Sequence, residues 1–362
     1  MGSVHFSKDI QPLFEELISS ENPLLQIQAA YALGDAANKA EALEALLKGL
    51  VVPDSEVKVT ILEILTHPDY FSNKITMPIC TLLEDEDVEV RTLAAVLLGT
   101  TKDNKAVPCL IRALKDQDSG VRYNVMAALA NIGDPKASQA LGELMNSEEW
   151  EDRFHAIDSL GMLADKASIP LFIKALQDEE PDVRENAALS AGNLICPEIE
   201  EKLIQTLDDE FPPVVGAAAY MLGIFKSQKS VPFLVDLLKT EYTDVALVVC
   251  ESLGKIKDST TIPALIEALH HPAKDVSKAA EEALDVFQNL QLIEPFIDSI
   301  MKDVKIQFGM KRMRKYPEQR VQWEAIKKMQ LPAWAEMLLQ EMAIMQKEEK
   351  QKRQQIDGKQ KG

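Results

Sequence analysis

The chain has 362 residues, of which 46% are apolar and only 6% aromatic, and a formal net charge of −19. Ala and Leu are its commonest apolar residues, which favours helices over strands, since strands lean on β-branched and aromatic side chains. An acidic surface repels phosphate backbones and favours basic or neutral partners, and no apolar run approaches the roughly 18 residues a membrane span needs.

At the N-terminus, Met1-Gly-Ser-Val-His-Phe6 has neither a basic-then-apolar leader nor the Ser or Thr that a myristoylated Gly2 wants, Phe6 standing in its place. The protein is expected in the cytoplasm. Leu13 to Gly34 reads as a first helix pair, with Ala29, Ala30, Leu33 and Gly34 on its second helix, and Ala42 to Leu65 as a looser second pair.

From about residue 77 the pattern becomes strict. Gly99, Gly161, Gly192, Gly223 and Gly254 fall on a grid with a period of 31 residues, and Ala130 fills the missing slot. Eight residues earlier stand Arg91, Arg122, Arg153 and Arg184, then Val215, Ala246 and Ser277. One residue before those stand Val90, Val121, Val183, Val214, Val245 and Val276, with Asp152 the exception. Pro108, Pro170, Pro232 and Pro263 share the grid. Such periodicity marks a stacked repeat in which each unit cannot bury its own apolar side.

Ile169–Leu194 shows the unit. Pro170 suits a first helical turn. Leu171, Phe172, Ala175 and Leu176 make an apolar face, Asp178-Glu-Glu-Pro181 breaks the helix, and Asp182 is placed to cap a second one. Val183, Ala187, Ala188, Ala191 and Gly192 then give a small-residue face for close helix contact. The count is nine helix pairs from about residue 8 to 287.

These units, clearest in VRTLAAVLLG (Val90–Gly99) and VRENAALSAG (Val183–Gly192), resemble HEAT repeats, and the short period resembles the phycobilisome-lyase type. The resemblance covers roughly residues 10–287. It implies an all-α, right-handed α-α superhelix, a HEAT-like solenoid with a helical C-terminal extension. It also implies a ladder of turn aspartates and second-helix arginines bonding across repeats, carried here by Asp85/Arg91, Asp116/Arg122 and Asp178/Arg184. Ser147/Arg153 matches by half, which makes Arg153 the candidate for a free arginine. Asp209 continues the aspartate series after the arginines end. Relatives of the short type include bilin lyases, so a chromophore-handling subunit acting with a second solenoid chain is the rival reading to a scaffold.

Chemistry-bearing constellations are sparse. Cys80, Cys109, Cys196 and Cys250 lie far apart in or beside apolar helical patterns, so each is expected as a buried reduced thiol. The five histidines form no His-Glu dyad of the kind that holds iron in HEAT-like deoxyhypusine hydroxylases, and His270-His271 lacks a second His-bearing turn. No phosphate loop, Gly-x-Ser-x-Gly or Cys-His pair occurs. No cofactor, no metal and no catalytic role are expected. The turns are acidic (Glu84–Asp87, Glu148 to Asp152, Asp178–Glu180, Asp208–Glu210), and carboxylates at helix starts are favourable to the dipole whether or not a basic partner docks there. They read as solvated, with nothing to perturb their pKa.

Past about Gln288 the grid stops. Residues 288–304 read as a capping helix and 305–362 as a basic, Met-rich helical tail. From Lys302 onward there are 15 Lys and Arg against 8 Asp and Glu, a charge of +7 that leaves −26 on the first 301 residues. Lys311-Arg-Met-Arg-Lys315 is its basic cluster, and Trp334, Met337 and Met342 lie on an amphipathic stretch suited to a partner helix or to folding back as a cap. The sequence therefore predicts a non-catalytic scaffold or adaptor with an extended concave surface for a protein partner, basic by preference, and neither a membrane nor nucleic acid as target. Tyr123, Trp150, Arg153, Asn186 and Tyr220 are the expected contact positions on the solenoid, Trp150 sitting in an acidic turn.

Overall fold

The computed structural model describes residues 6–285, and among these every regular element is helical. The segments 288–304 and 305–362, with Trp334, Met337 and Met342, lie outside the described residues. The chain divides into two compact units, the first ending at Lys202 and the second beginning at Leu203.

The first unit holds α1 (Gln11–Ser19), α2 (Pro23–Asp35), α3 (Lys39–Gly49), α4 (Ser55–Leu65), α5 (Thr76–Leu82) and α6 (Val88–Thr101). It continues with α7 (Val107–Ala113), α8 (Ser119–Ile132), α9 (Lys136–Leu144), α10 (Trp150–Leu163), α11 (Ile169–Ala175) and α12 (Pro181–Ser190). The division falls inside α13 (Pro197–Thr206). The second unit holds α14 (Pro212–Ile224), α15 (Val231–Leu237), α16 (Thr243–Ile256), α17 (Ile262–Ala268) and α18 (Lys274–Asp285). In both units, odd-numbered first helices alternate with even-numbered second helices, and within each unit a second helix packs on the next, α2 through α12 in the first and α14 through α18 in the second.

Local chemistry sets these boundaries. Asp87 caps α6 by accepting from the N–H groups of Glu89 and Val90, and Asp118 caps α8 through Val121 N–H. Gly133 ends α8 at φ +77°, a left-handed conformation that a glycine adopts without steric cost. Before α7 and α11, a 3₁₀ turn is capped by Asp103 or Asp165, and Pro108 or Pro170 then occupies the first turn, where no amide donor is needed. In the Ile169–Leu194 unit the assignment shifts. Pro181 opens α12 instead of closing α11, and Asp182 lies within its first turn while Glu180 takes the cap position without a side-chain bond. The looser N-terminal spacing reflects residues 71–75, which separate the 3₁₀ turn Pro68–Tyr70 from α5, whereas the later 3₁₀ turns run straight into their helices; the buried Tyr70 hydroxyl donates to Gly34 O at 2.8 Å.

The grid glycines sit where second helices touch. A Cβ on Gly99 would lie 2.8 Å from Ala128 Cα, and one on Gly223 would lie 2.7 Å from Ser252 Cβ. Only paired small residues allow such an approach, and that requirement repeats with the period.

One expectation is corrected here. Cys80 on α5 and Cys109 on α7 form a disulfide, their Cα atoms 5.9 Å apart, so they are not reduced thiols. They are 29 residues apart, close to one repeat, and stacking lays neighbouring first helices side by side. Cys196 and Cys250 are not disulfide-bonded, and burial pushes the Cys250 thiol up to about 12.

Candidate partner-binding face

The charged turns are mostly consumed by structure. Arg91 holds Asp116 with Nε–Oδ2 at 2.7 Å and Nη2–Oδ1 at 3.0 Å, while its Nη1 donates to the carbonyls of Asp85 and Glu86. Arg153 does the same two units later, with Asp178 at 2.8 and 2.7 Å and the carbonyls of Ser147 and Glu148. Each guanidinium thus clamps its own turn through carbonyls and the following turn through a carboxylate. The bonding across repeats that the resemblance implies is present, and its ion pairs are Arg91/Asp116 and Arg153/Asp178: each arginine takes the aspartate of the following turn, so Asp85/Arg91, Asp116/Arg122 and Asp178/Arg184 supply members of the ladder without being its pairs. Lys58 supplies the cation for Asp85 at 2.7 Å. Arg184 donates to the carbonyls of Asp178 and Glu179.

Arg153 is therefore not free. Its side chain is 8% exposed and doubly bonded to a carboxylate. The missing carboxylate at Ser147 falls instead on Arg122, and Asp152 substitutes, with Arg122 Nε–Oδ1 at 2.9 Å and Ser147 Oγ donating to its other oxygen. Asp152 breaks the valine column for this reason. Nor are the turn aspartates merely solvated. Burial alone would raise the carboxyl of Asp116, but the bonds from Arg91 and Asp118 N–H, with the charges of Arg91 and Arg122, hold it below the usual carboxylate range. Asp178 and Asp85 are lowered by the same opposition of burial to hydrogen bonds and nearby cations.

What remains open is the exposed face of α8, α10 and α12. Neighbouring second helices meet at matching positions, as Arg122 to Asp152 and Gly161 to Ser190 show, so they run parallel. Tyr123 on α8 is 45% exposed, and its ring centroid lies 4.4 Å from that of His155 on α10. Phe154 packs edge-on to His155 at 5.2 Å and to Trp150 at 6.3 Å. Trp150, Phe154 and Asp158 are spaced four apart along α10 and share its outward side. On α12, Asn186 Nδ2 donates to Phe154 O at 2.9 Å, and Ser190 Oγ donates its one proton to Asn186 Oδ1 at 3.1 Å, with Asp158 Oδ1 at 3.5 Å as the alternative acceptor. Met162 and Leu189 are exposed at its edge. Burial pushes the His155 imidazole below its ordinary value against nearby carboxylates, and burial together with Asp182 raises the Glu185 carboxyl.

Of the positions expected from sequence, Tyr123, Trp150 and Asn186 come together here. Trp150 opens α10 and does not lie in a turn. Tyr220 belongs to the second unit, where the ammonium of Lys255 lies 4.3 Å from its ring centroid. Phe154 and His155 escaped the sequence reading, although Phe154 follows Arg153 as Tyr123 follows Arg122. Among the described residues no group of three potential ligands is placed to hold a metal, and no helix is long and apolar enough to cross a membrane.

A family model described as HEAT repeats matches residues 76–153, 141–200 and 200–285. Among solved structures, Kap121p bound to Pho4p is similar at a TM-score of 0.58 and 16% identity, covering 84% of this chain and 41% of that one. Kap95p, solved with RanGDP, gives a TM-score of 0.56 at 13% identity, covering 86% of this chain and 51% of that one. The chain thus spans about half the length or less of these two. The complex of CpcE and CpcF of phycocyanin lyase from Nostoc sp. PCC7120 gives 0.39 at 21% identity, covering 58% of this chain and 94% of that one. No curated protein sequence matches the chain. With its stacked helix pairs, its period and a family match over most of the described residues, the chain belongs to the HEAT-repeat family.

Proposed function

We propose that the protein is a non-catalytic scaffold or adaptor that holds another protein on the second-helix face of α8, α10 and α12. The observation that carries this reading is the cluster of Tyr123, Trp150, Phe154 and His155, one exposed and three half-buried aromatic side chains gathered in a chain otherwise poor in them. Aromatic anchors of this kind carry most of the energy of protein interfaces. The turn aspartates and the three arginines of α8, α10 and α12 are spent on the ladder and its turns, so the cations of these helices are not offered to a ligand. We place the protein in the cytoplasm, where the Cys80–Cys109 bond would have to persist against a reducing thiol pool.

A photo-crosslinking residue at Tyr123 or Leu189, compared with one at Lys174 on α11, tests the reading in cells. One discrete partner should be captured from the second-helix positions only, and Phe154→Ala should abolish its capture. Equal capture from Lys174, or capture indifferent to Phe154→Ala, would defeat it.

A further inference from the structure

The aromatic face has a one-sided charge pattern. Helices α8, α10 and α12 contain no lysine. Their three arginines turn to the ladder, Arg122 to Asp152, Arg153 to Asp178, and Arg184 to the carbonyls of Asp178 and Glu179. The ionisable groups left beside the rings are Glu151, Asp158, Asp182 and Glu185, with His155 among them. We propose that this face docks an arginine-bearing segment of a partner protein, the guanidinium stacking on Phe154 with Asp158 and Glu185 as its counter-charges. The proposal rests on the scaffold reading and names the chemistry of its partner.

Three features favour arginine. A guanidinium is planar, stacks on aromatic faces and is less strongly hydrated than an ammonium, so it enters a half-buried site more readily. It stays ionised wherever it is placed. It also forms paired bonds to carboxylates, and Asp158 is exposed, with Ser190 Oγ 3.5 Å from its Oδ1. The partial desolvation of Glu185 and His155 indicates a surface less wetted than the acidic turns, so a cation arriving there gains more than it would at Glu84 or Glu86.

The test is fluorescence anisotropy on the full chain. The probe is a fluorescein-labelled Gly/Ser peptide carrying Arg and Leu, run beside copies with citrulline or Lys in place of Arg. The citrulline peptide should bind about tenfold more weakly, and so should the Arg peptide to Glu185→Gln or Phe154→Ala, as expected for losing one partly desolvated cation contact. Glu185→Gln keeps size and helix propensity, so folding does not confound it. Glu84→Gln with Glu86→Gln, exposed carboxylates off the face, should change affinity less than twofold. Equal losses in both acidic variants would overturn the proposal in favour of diffuse charge attraction, and equal affinity for the Lys peptide would overturn the choice of arginine. Binding seen only after Lys311, Arg312, Arg314 and Lys315 are changed to Gln would also overturn it, making the chain's own basic cluster the occupant. If Tyr123 crosslinks capture a partner while the Arg peptide fails, the scaffold reading stands and this inference falls; if neither binds, both fall.

Discussion

Replacing Asp178 with Asn tests the offset of the ladder directly. The change keeps an oxygen for Glu180 N–H but removes the charge that Arg153 holds through bonds of 2.8 and 2.7 Å. Both side chains are 8% exposed, so the guanidinium would remain in a desolvated place with its carboxylate gone. Breaking a buried pair from one side costs about 3–5 kcal/mol. The lower end applies, because Glu179, 3.5 Å from Arg153 and exposed, is positioned to take over part of the role. For a unit of this size, about 3 kcal/mol corresponds to a fall in Tm of about 6–12 °C. Thermal and urea unfolding followed by far-ultraviolet circular dichroism measure it. Adding Arg153→Met should restore most of the loss, since a pair replaced as a whole is close to neutral. Were Asp178→Asn silent, or were its loss relieved by changing Arg184 and not Arg153, the pairing of each arginine with the following turn would be wrong.

Two glycines should respond in opposite directions. Gly99→Ala pushes a methyl to 2.8 Å from Ala128 Cα and should cost about 1–3 kcal/mol, whereas Gly216→Ala on α14 meets nothing within 4 Å and should stabilise by up to about 1 kcal/mol. Unfolding free energies of the two variants decide it. Of the four cysteines, two should titrate with a thiol reagent in denaturant without reductant, and all four after reduction; four from the outset would disprove the Cys80–Cys109 bond. In the native state Cys196 should react and Cys250 should not, because burial holds its thiol at about 12. Finally, Asp85, Asp116 and Asp178 have folded pKa values below their unfolded ones. Their stabilisation is therefore complete above the unfolded value of about 3.9 and is lost as pH falls through the lower folded values. Unfolding midpoints in acid should drop with Asp116 intact, and less steeply in Asp116→Asn.

The repeat was legible because its markers are steric. A glycine facing Ala128 or Ser252 and a proline in a helix's first turn are demands that any sequence building this stack must meet at the same column. Contacts between columns were not legible in the same way. The resemblance implies that arginines and aspartates bond across repeats, but the columns alone do not say to which turn: Asp85 stands six residues before Arg91, and in space Arg91 reaches Asp116, 25 residues on, because the repeat translates each unit onto the next. The same translation joins Cys80 to Cys109, 29 residues apart along the chain. It also explains why the sequence does not single out Phe154 and His155: nothing marks them locally, and they matter only because Tyr123 and Asn186 stand one unit away on either side. In a repeat of this period the informative neighbours of a residue lie about one repeat away. Read that way, the column after each arginine runs Thr92, Tyr123, Phe154, Glu185, and the site lies where it turns from aromatic to acidic. A partner's cation would meet both kinds of side chain at that step.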